Sequence, residues 1–232
     1  MAFQPGYKAR VLNGDFSLSA KLSDASAALA TEMLDVTVLT DAGVKRFIPG
    51  LDSSTVSLSG FTDAAVNTDT VAWTAAQPLT YGQTGLTLGS PVILANMLNS
   101  SYEVSTSLGG VASFTLSGTT DGPASPGVSL ADLAAVTVDT NGTGVDLTTV
   151  STTNGGVAHL HVTAFSGFTG AVVIVEDSAN NSTWATIGTF ATATTVTSER
   201  LPIAGTVRRY VRCSIDVTGS GSVTYSVAFA RH

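Results

Sequence analysis

Residues 44–60 read VKRFIPGLDSSTVSLSG. In its second half Val56 and Leu58 alternate with Thr55, Ser57 and Ser59. This period of two sends apolar side chains to one face of a strand and polar ones to the other. The same alternation recurs at 36–40, 44–48, 55–61, 101–106, 111–117, 157–163, 171–176, 207–217 and 223–230, punctuated by Gly, Asn, Asp and Ser. That pattern reads as an all-β chain. Between the two apolar runs, Pro49 presets φ and Gly50 accepts φ > 0, so Pro49-Gly50 is expected at the centre of a type II turn. At most two short helices are expected, at 23–34, Ala-rich with Ser23 as its cap, and at 91–98.

The polar faces of these strands are built from short hydroxyls: Thr55, Ser57 and Ser59 on one, Ser113, Thr115 and Ser117 on another. Such a face is either an ordinary solvated surface or a smooth wall without long projecting side chains.

The segment 119–130, TTDGPASPGVSL, carries two prolines and two glycines among small polar residues and is read as a linker. It divides the chain into a β domain at 1–121 and a second, C-terminal β-sandwich region at 122–232. LSGFTD at 58–63 is echoed by LSGTTD at 116–121, so two strands end alike.

Hydrophobic residues make up 44% of the 232 and mean hydropathy is +0.32, so the chain is expected to fold rather than remain disordered. Only 12% of residues are charged, about half the usual share of roughly 25%. Surface is therefore covered by Ser, Thr, Gly and Ala or hidden against other subunits, and the second is the expectation here. The net charge of −7 argues against a protein that grips nucleic acid. No signal peptide and no membrane span are read.

Little in the chain looks like chemistry. Cys213 is the one cysteine and is expected to be a buried apolar residue on a strand face shared by Val207, Arg209, Val211, Ile215 and Val217. His159 and His161 project from one face of one strand and are expected to be exposed. A zinc site wants three or four ligands, and no third ligand stands near them in sequence. Neither a nucleophile elbow nor a phosphate loop nor a zinc-protease motif occurs, so no catalytic, metal or cofactor site is assigned and the chain is not expected to be an enzyme. Arg208, Tyr210 and Arg212 form a stripe that either touches a neighbouring subunit or pairs with local acids. Trp184, Tyr210 and Tyr225 are the residues a carbohydrate-binding module would use as platforms.

Several of these stretches together resemble a family. MAFQPGYKARVLNG with Lys8 and Arg10, the Thr-rich strand ending at Asp41, FIPGL at 47–51 and the strand ending at Ser59-Gly60 are similar to the opening of tail tube (major tail) proteins of long-tailed bacteriophages. GGVAHLHVTAFSG, VIVEDSANNSTWATIGTF and GTVRRYVRCSIDVTGSGSVTYSVAFAR resemble the C-terminal part of such proteins in phages of actinobacteria. The amphipathic helix such proteins carry after the Ser-Gly strand has no clear counterpart in DAAVNTDTVAWTAA at 63–76.

The resemblance implies a β-sandwich or barrel-like tail tube fold and a virion protein made in the host cytoplasm. Its partners would be itself, in stacked rings, and other tail proteins. Six subunits per ring are expected, or a trimer mimicking six-fold symmetry if both halves build the wall. Double-stranded DNA would pass through without being gripped. Phe47, Ile48, Pro49, Gly50 and Leu51, with Arg208, Tyr210 and Arg212, would then contact neighbouring subunits. Asp41, Asp52 and Asp63, with Ser57, Ser59, Ser113 and Ser117, would face the bore. Before the linker nine acids outnumber five bases, which suits a wall that repels phosphates. A capsid decoration or fibre protein, or a carbohydrate-binding sandwich, are the rival readings.

Overall fold

The computed structural model describes residues 8–38, 44–63, 75–148 and 151–232, with only the backbone of 49–51. Asp41 and nearly all of the 63–76 stretch lie outside the described residues. The chain is all-β: fourteen strands and no α-helix among the described residues. In order they are β1 (Arg10–Asn13), β2 (Phe16–Ser17), β3 (Leu22–Asp35), β4 (Phe47–Phe61), β5 (Gln77–Gly82), β6 (Pro91–Ser105) and β7 (Ser113–Thr120). There follow β8 (Ser125–Val136), β9 (Thr140–Asn141), β10 (Val145–Asp146), β11 (Gly156–Ser178), β12 (Ala185–Thr189), β13 (Thr197–Ile203) and β14 (Tyr210–Arg231).

These strands form two compact units. The larger holds residues 1–20, 77–95 and 125–232, and the smaller holds 21–76 and 96–124. The linear division at 121/122 therefore coincides with only one of the places where the chain passes between units.

The larger unit is organised by one long antiparallel strand pair. β11 and β14 pair antiparallel from Gly156↔Arg231 to Ser178↔Tyr210, with register shifts between Val162 and Gly170. Bulges bend a strand. Here they let Ala158, Leu160 and Val162 from one half of β11 join the same core as Ala171, Val173 and Val175 from the other. Gly221 sits at this bend, where a Cβ would lie 2.1 Å from the Ser166 carbonyl oxygen and no side chain is tolerated. β13 and β12 succeed one another along the free edge of β11, while β8, β9 and β10 line that of β14. The result is a sandwich closed around one core. A second layer, β1 with β2 and β5, packs Leu12 against Val157, Ala228 and Ala230 on the opposite face of the strand pair.

Several expectations are corrected. The helix expected at 23–34 is strand β3, because all of these residues but Ser23 and Glu32, at two register shifts, find ladder partners in β4, and helix propensity is too weak a preference to override that. The helix expected at 91–98 is the first half of β6, with Pro91 at the first strand position, where its missing N–H costs least. Most of the supposed linker is strand: only 121–124 separates β7 from β8, and Gly127 is where the β14 backbone comes close, a Cβ there lying 2.3 Å from the Phe229 carbonyl oxygen.

Pro49 and Gly50 do not centre a turn. They lie within β4, with Pro49 opposite Met33 just past a register shift, the irregular kind of site that admits proline in a ladder. The chain reverses instead between Val36, whose N–H donates to the Arg46 carbonyl, and Arg46. Cys213 is buried as expected, and burial pushes its thiol up to about 12. Arg209 does not share its face; β14 begins one residue later, and Arg209 turns outward onto Asp146. His159 and His161 are buried, not exposed, because the β1–β2–β5 layer covers their face of β11.

Candidate assembly surface

The smaller unit is a four-stranded antiparallel sheet in the order β3-β4-β7-β6, with β6 taking part from Met97 onward. Residues directly opposite in such ladders share a face, so the register sorts every side chain. One face carries Val56, Leu58, Phe114 and Leu116, all buried. The other carries Ser26, Ser57, Ser117 and Ser101 in one row across the four strands. The next row is Asp24, Ser59, Thr115 and Glu103.

In these two rows the second face is mostly hydroxyl, and the flanking rows add the exposed Leu98 and Phe61; some of the hydroxyls fold back on the sheet. Ser26 Oγ donates to the Ser57 carbonyl at 3.4 Å, and Ser100 Oγ to the Ser117 carbonyl at 3.1 Å. Side chains bonded back to the sheet do not project. The charges on its two rows are Asp24 and Glu103, both acids. Sequence reading had counted these two among the acids without singling them out. Only the cross-strand register places them here, and no local signal carries that information.

The two ends of the sheet are apolar. At one end the β6–β7 connection carries Leu108, fully exposed at 109% of its reference area, and Val111. At the opposite end β7 stops at Thr120, while β3 and β4 run on together from Leu29↔Ser54 to Asp35↔Phe47. Seven residues at about 3.3 Å each make a ribbon extension of about 23 Å. Leu29, Met33, Leu34, Phe47 and Ile48 are all exposed on it. Beyond the ribbon, Asp35 accepts hydrogen bonds from the Thr37 hydroxyl and backbone N–H, which hold its carboxyl below the usual carboxylate range. Lys45 stands 3.8 Å from it. Among the described residues β3 pairs with β4 alone, so its outer edge is open.

The residues singled out by sequence thus separate. Phe47 and Ile48 are exposed on the ribbon. Ser57, Ser59, Ser113 and Ser117 share the hydroxyl face. Asp52 sits lower on the ribbon, accepting from Thr31 Oγ1 at 2.5 Å, and Asp63 pairs with Lys21 beyond the other end of β4. Arg208, Tyr210 and Arg212 lie in the other unit and are engaged locally. Arg208 donates through its guanidinium and backbone N–H to Asp177, whose side chain is 2% exposed. Arg212 donates to Glu176 at 2.8 Å and stacks 4.4 Å over the Trp184 ring. Arg209 lies over Tyr210, and Tyr225 is buried. The three aromatics considered as sugar platforms are therefore stacked by arginine or enclosed.

No family model matches the chain, and no curated protein matches it. Among solved structures it is similar to a chain in the virion of a native gene transfer agent particle, at 19% identity and a TM-score of 0.44, over 53% of this chain and 98% of that one. A chain in the tail of an empty gene transfer agent particle of C6 symmetry is similar at 17% identity and a TM-score of 0.43, again over 53% and 98%. The Dit protein of phage SPP1, part of a hub adsorption apparatus, is similar at 12% identity and a TM-score of 0.37, over 97% and 99%.

Proposed function

We propose that this protein is a structural component of a phage tail, whose copies join side by side into rings and stack into a tube that conducts the genome. The observation that carries the reading is the smaller unit's sheet: apolar at both ends, open along β3, and hydroxylic on its solvent face. An open edge invites strand pairing by a neighbour, and a closing head-to-tail contact makes a ring. Apolar groups at opposite ends of the strands suit stacking of one ring on the next. Phe47 and Ile48, with the neighbouring Pro49, Gly50 and Leu51, would then meet the β6–β7 tip of the subunit in the adjoining ring.

The face left over would line the bore. DNA carries about one negative charge per 1.7 Å of axis, and a wall mostly of hydroxyls with Asp24 and Glu103 offers it no cation. Asp52 and Asp63 would sit toward the two mouths of each ring. One such face per chain favours six subunits per ring over a pseudo-six-fold trimer. The resemblance read from the sequence points the same way.

Assembly tests it. Concentrated protein viewed by negative-stain electron microscopy, alone and with purified tail-tip complexes as nucleators, should show rings or tubes with a central hole. Monomers under both conditions would reject the tube, and assembly only on capsids would favour a decoration protein.

A further inference from the structure

The larger unit buries two histidines that the assembly reading does not use. His159 and His161 are 1% and 0% exposed, on the face of β11 covered by the β1–β2–β5 layer. His161 Nδ1 lies 2.7 Å from the Gly14 carbonyl oxygen, in the β1–β2 turn. Its Nε2 lies 2.8 Å from Thr80 Oγ1 on β5, and the same hydroxyl is 3.4 Å from His159 Nδ1. A carbonyl only accepts, so His161 carries its proton on Nδ1. Its Nε2 is then the acceptor and the Thr80 hydroxyl donates to it. Both strands that hold the outer layer, β5 directly and β1 through its turn, are thus tied to one neutral imidazole.

Protonation breaks this arrangement from inside. A proton on Nε2 turns the acceptor into a donor, so the Thr80 hydroxyl must rotate to accept and its hydrogen loses its partner, and it puts a charge where water is absent. Opposite His159 in the ladders stand Arg200 on β13 and Ala228 on β14; opposite His161 stand Ser198 and Ser226. β5 presents Leu79 and Thr80, and the turn presents Gly14 between Asn13 and Asp15. Among the described residues, the charge acting on His159 besides the other histidine is the Arg200 cation, which repels.

We infer that this pair is an acid-released latch: neutral, it pins the β1–β2–β5 layer to the paired strands β11 and β14, and protonated, it lets that layer open while the sandwich beneath persists. Burial pushes His161 down to about 4, against the backbone bond to Gly14 that works the other way. Burial, then the His161 and Arg200 charges, also lower His159. Because both values lie below the free imidazole's 6.5, the opened state binds more protons than the closed one in between. The latch is therefore fully closed above pH 6.5 and weakens as pH falls toward 4.

Hydrogen exchange on the full-length protein from pH 7 to 4.5 tests this. Protection of amides in β1 and β5 should fall at least about thirtyfold beyond the intrinsic pH effect, while Ile215 and Val223 in β14 change less than threefold. His161→Gln can donate to Gly14 and accept from Thr80 without titrating, and should abolish most of the acid-induced loss. Loss of the same size in His161→Gln overturns the latch. If that variant does not fold, the imidazole signals of the wild type decide. Titration of His161 in step with β1 and β5 opening supports the latch; titration near 6.5 with the layer still protected, or opening with the ring neutral, overturns it.

Discussion

The two units finish their surfaces differently. The larger one, with about twice as many described residues, leaves three large apolar side chains exposed: Leu88, Val138 and Val196. The smaller one leaves thirteen, along the ribbon, at the β6–β7 tip and on the outer part of the sheet. In the larger unit even the charges are settled, with Arg208 on Asp177, Arg209 on Asp146 and Arg212 on Glu176. Scattered exposed apolar residues are ordinary, but a concentration in one unit marks a surface meant to be covered. Among the described residues the exposed large apolar side chains thus concentrate in the smaller unit, the one that the proposed assembly would cover.

Three variants would break or sharpen this contrast. The largest effect is expected in the larger unit. Arg208→Ala leaves the buried Asp177 carboxylate the backbone N–H of residue 208 but removes the guanidinium, and losing charged hydrogen bonds to a buried group costs about 1.5–3 kcal/mol. Thermal and urea unfolding should show that loss, and a change under about 0.5 kcal/mol would mean that this pair does not hold the sandwich. In the smaller unit stability and assembly should separate. The double substitution Phe47→Ser with Leu108→Ser should leave unfolding within about 0.5 kcal/mol but raise the concentration needed for ring stacking at least tenfold, measured by sedimentation. Unchanged stacking would remove both residues from the interface. The smallest structural effect belongs to the hydroxyl face. Ser57→Lys with Ser117→Lys should assemble normally yet slow DNA ejection, most at low ionic strength where screening is weak. Equal ejection rates across a salt series would place that face away from the bore.

What the sequence disclosed follows from how local each signal is. The all-β class was legible because period two is written in consecutive residues such as Thr55–Ser59. So was the hydroxyl face, since Ser57 and Ser117 each sit in clean alternation. Strand β3 was hidden because Ala, Leu and Met carry helix propensity and its exposed length shows no inward face; only its partner β4 makes it a strand. Pro49-Gly50 misled for the same reason, as turn chemistry is judged over four residues and a ladder over fourteen. The histidine pair was placed on one face correctly but assigned to solvent. Its cover comes from residues 79–82 and 10–17, far away in sequence.

β6 is a single strand that serves both units, from Pro91–Leu94 against β8 to Met97–Ser105 against β7. Around it the chain passes from unit to unit four times, which sets an order in time. Every strand of the smaller unit has been synthesised by residue 124, whereas the larger cannot close before β14, its central strand, ends at Arg231. At about 5–20 residues per second, the smaller unit's strands would all be made roughly 5–20 s before the larger unit can close. Pairings between strands this distant in sequence are also slow to make. The exposed apolar residues of the ribbon, Leu29, Met33, Leu34, Phe47 and Ile48, are therefore all made before the larger unit is complete.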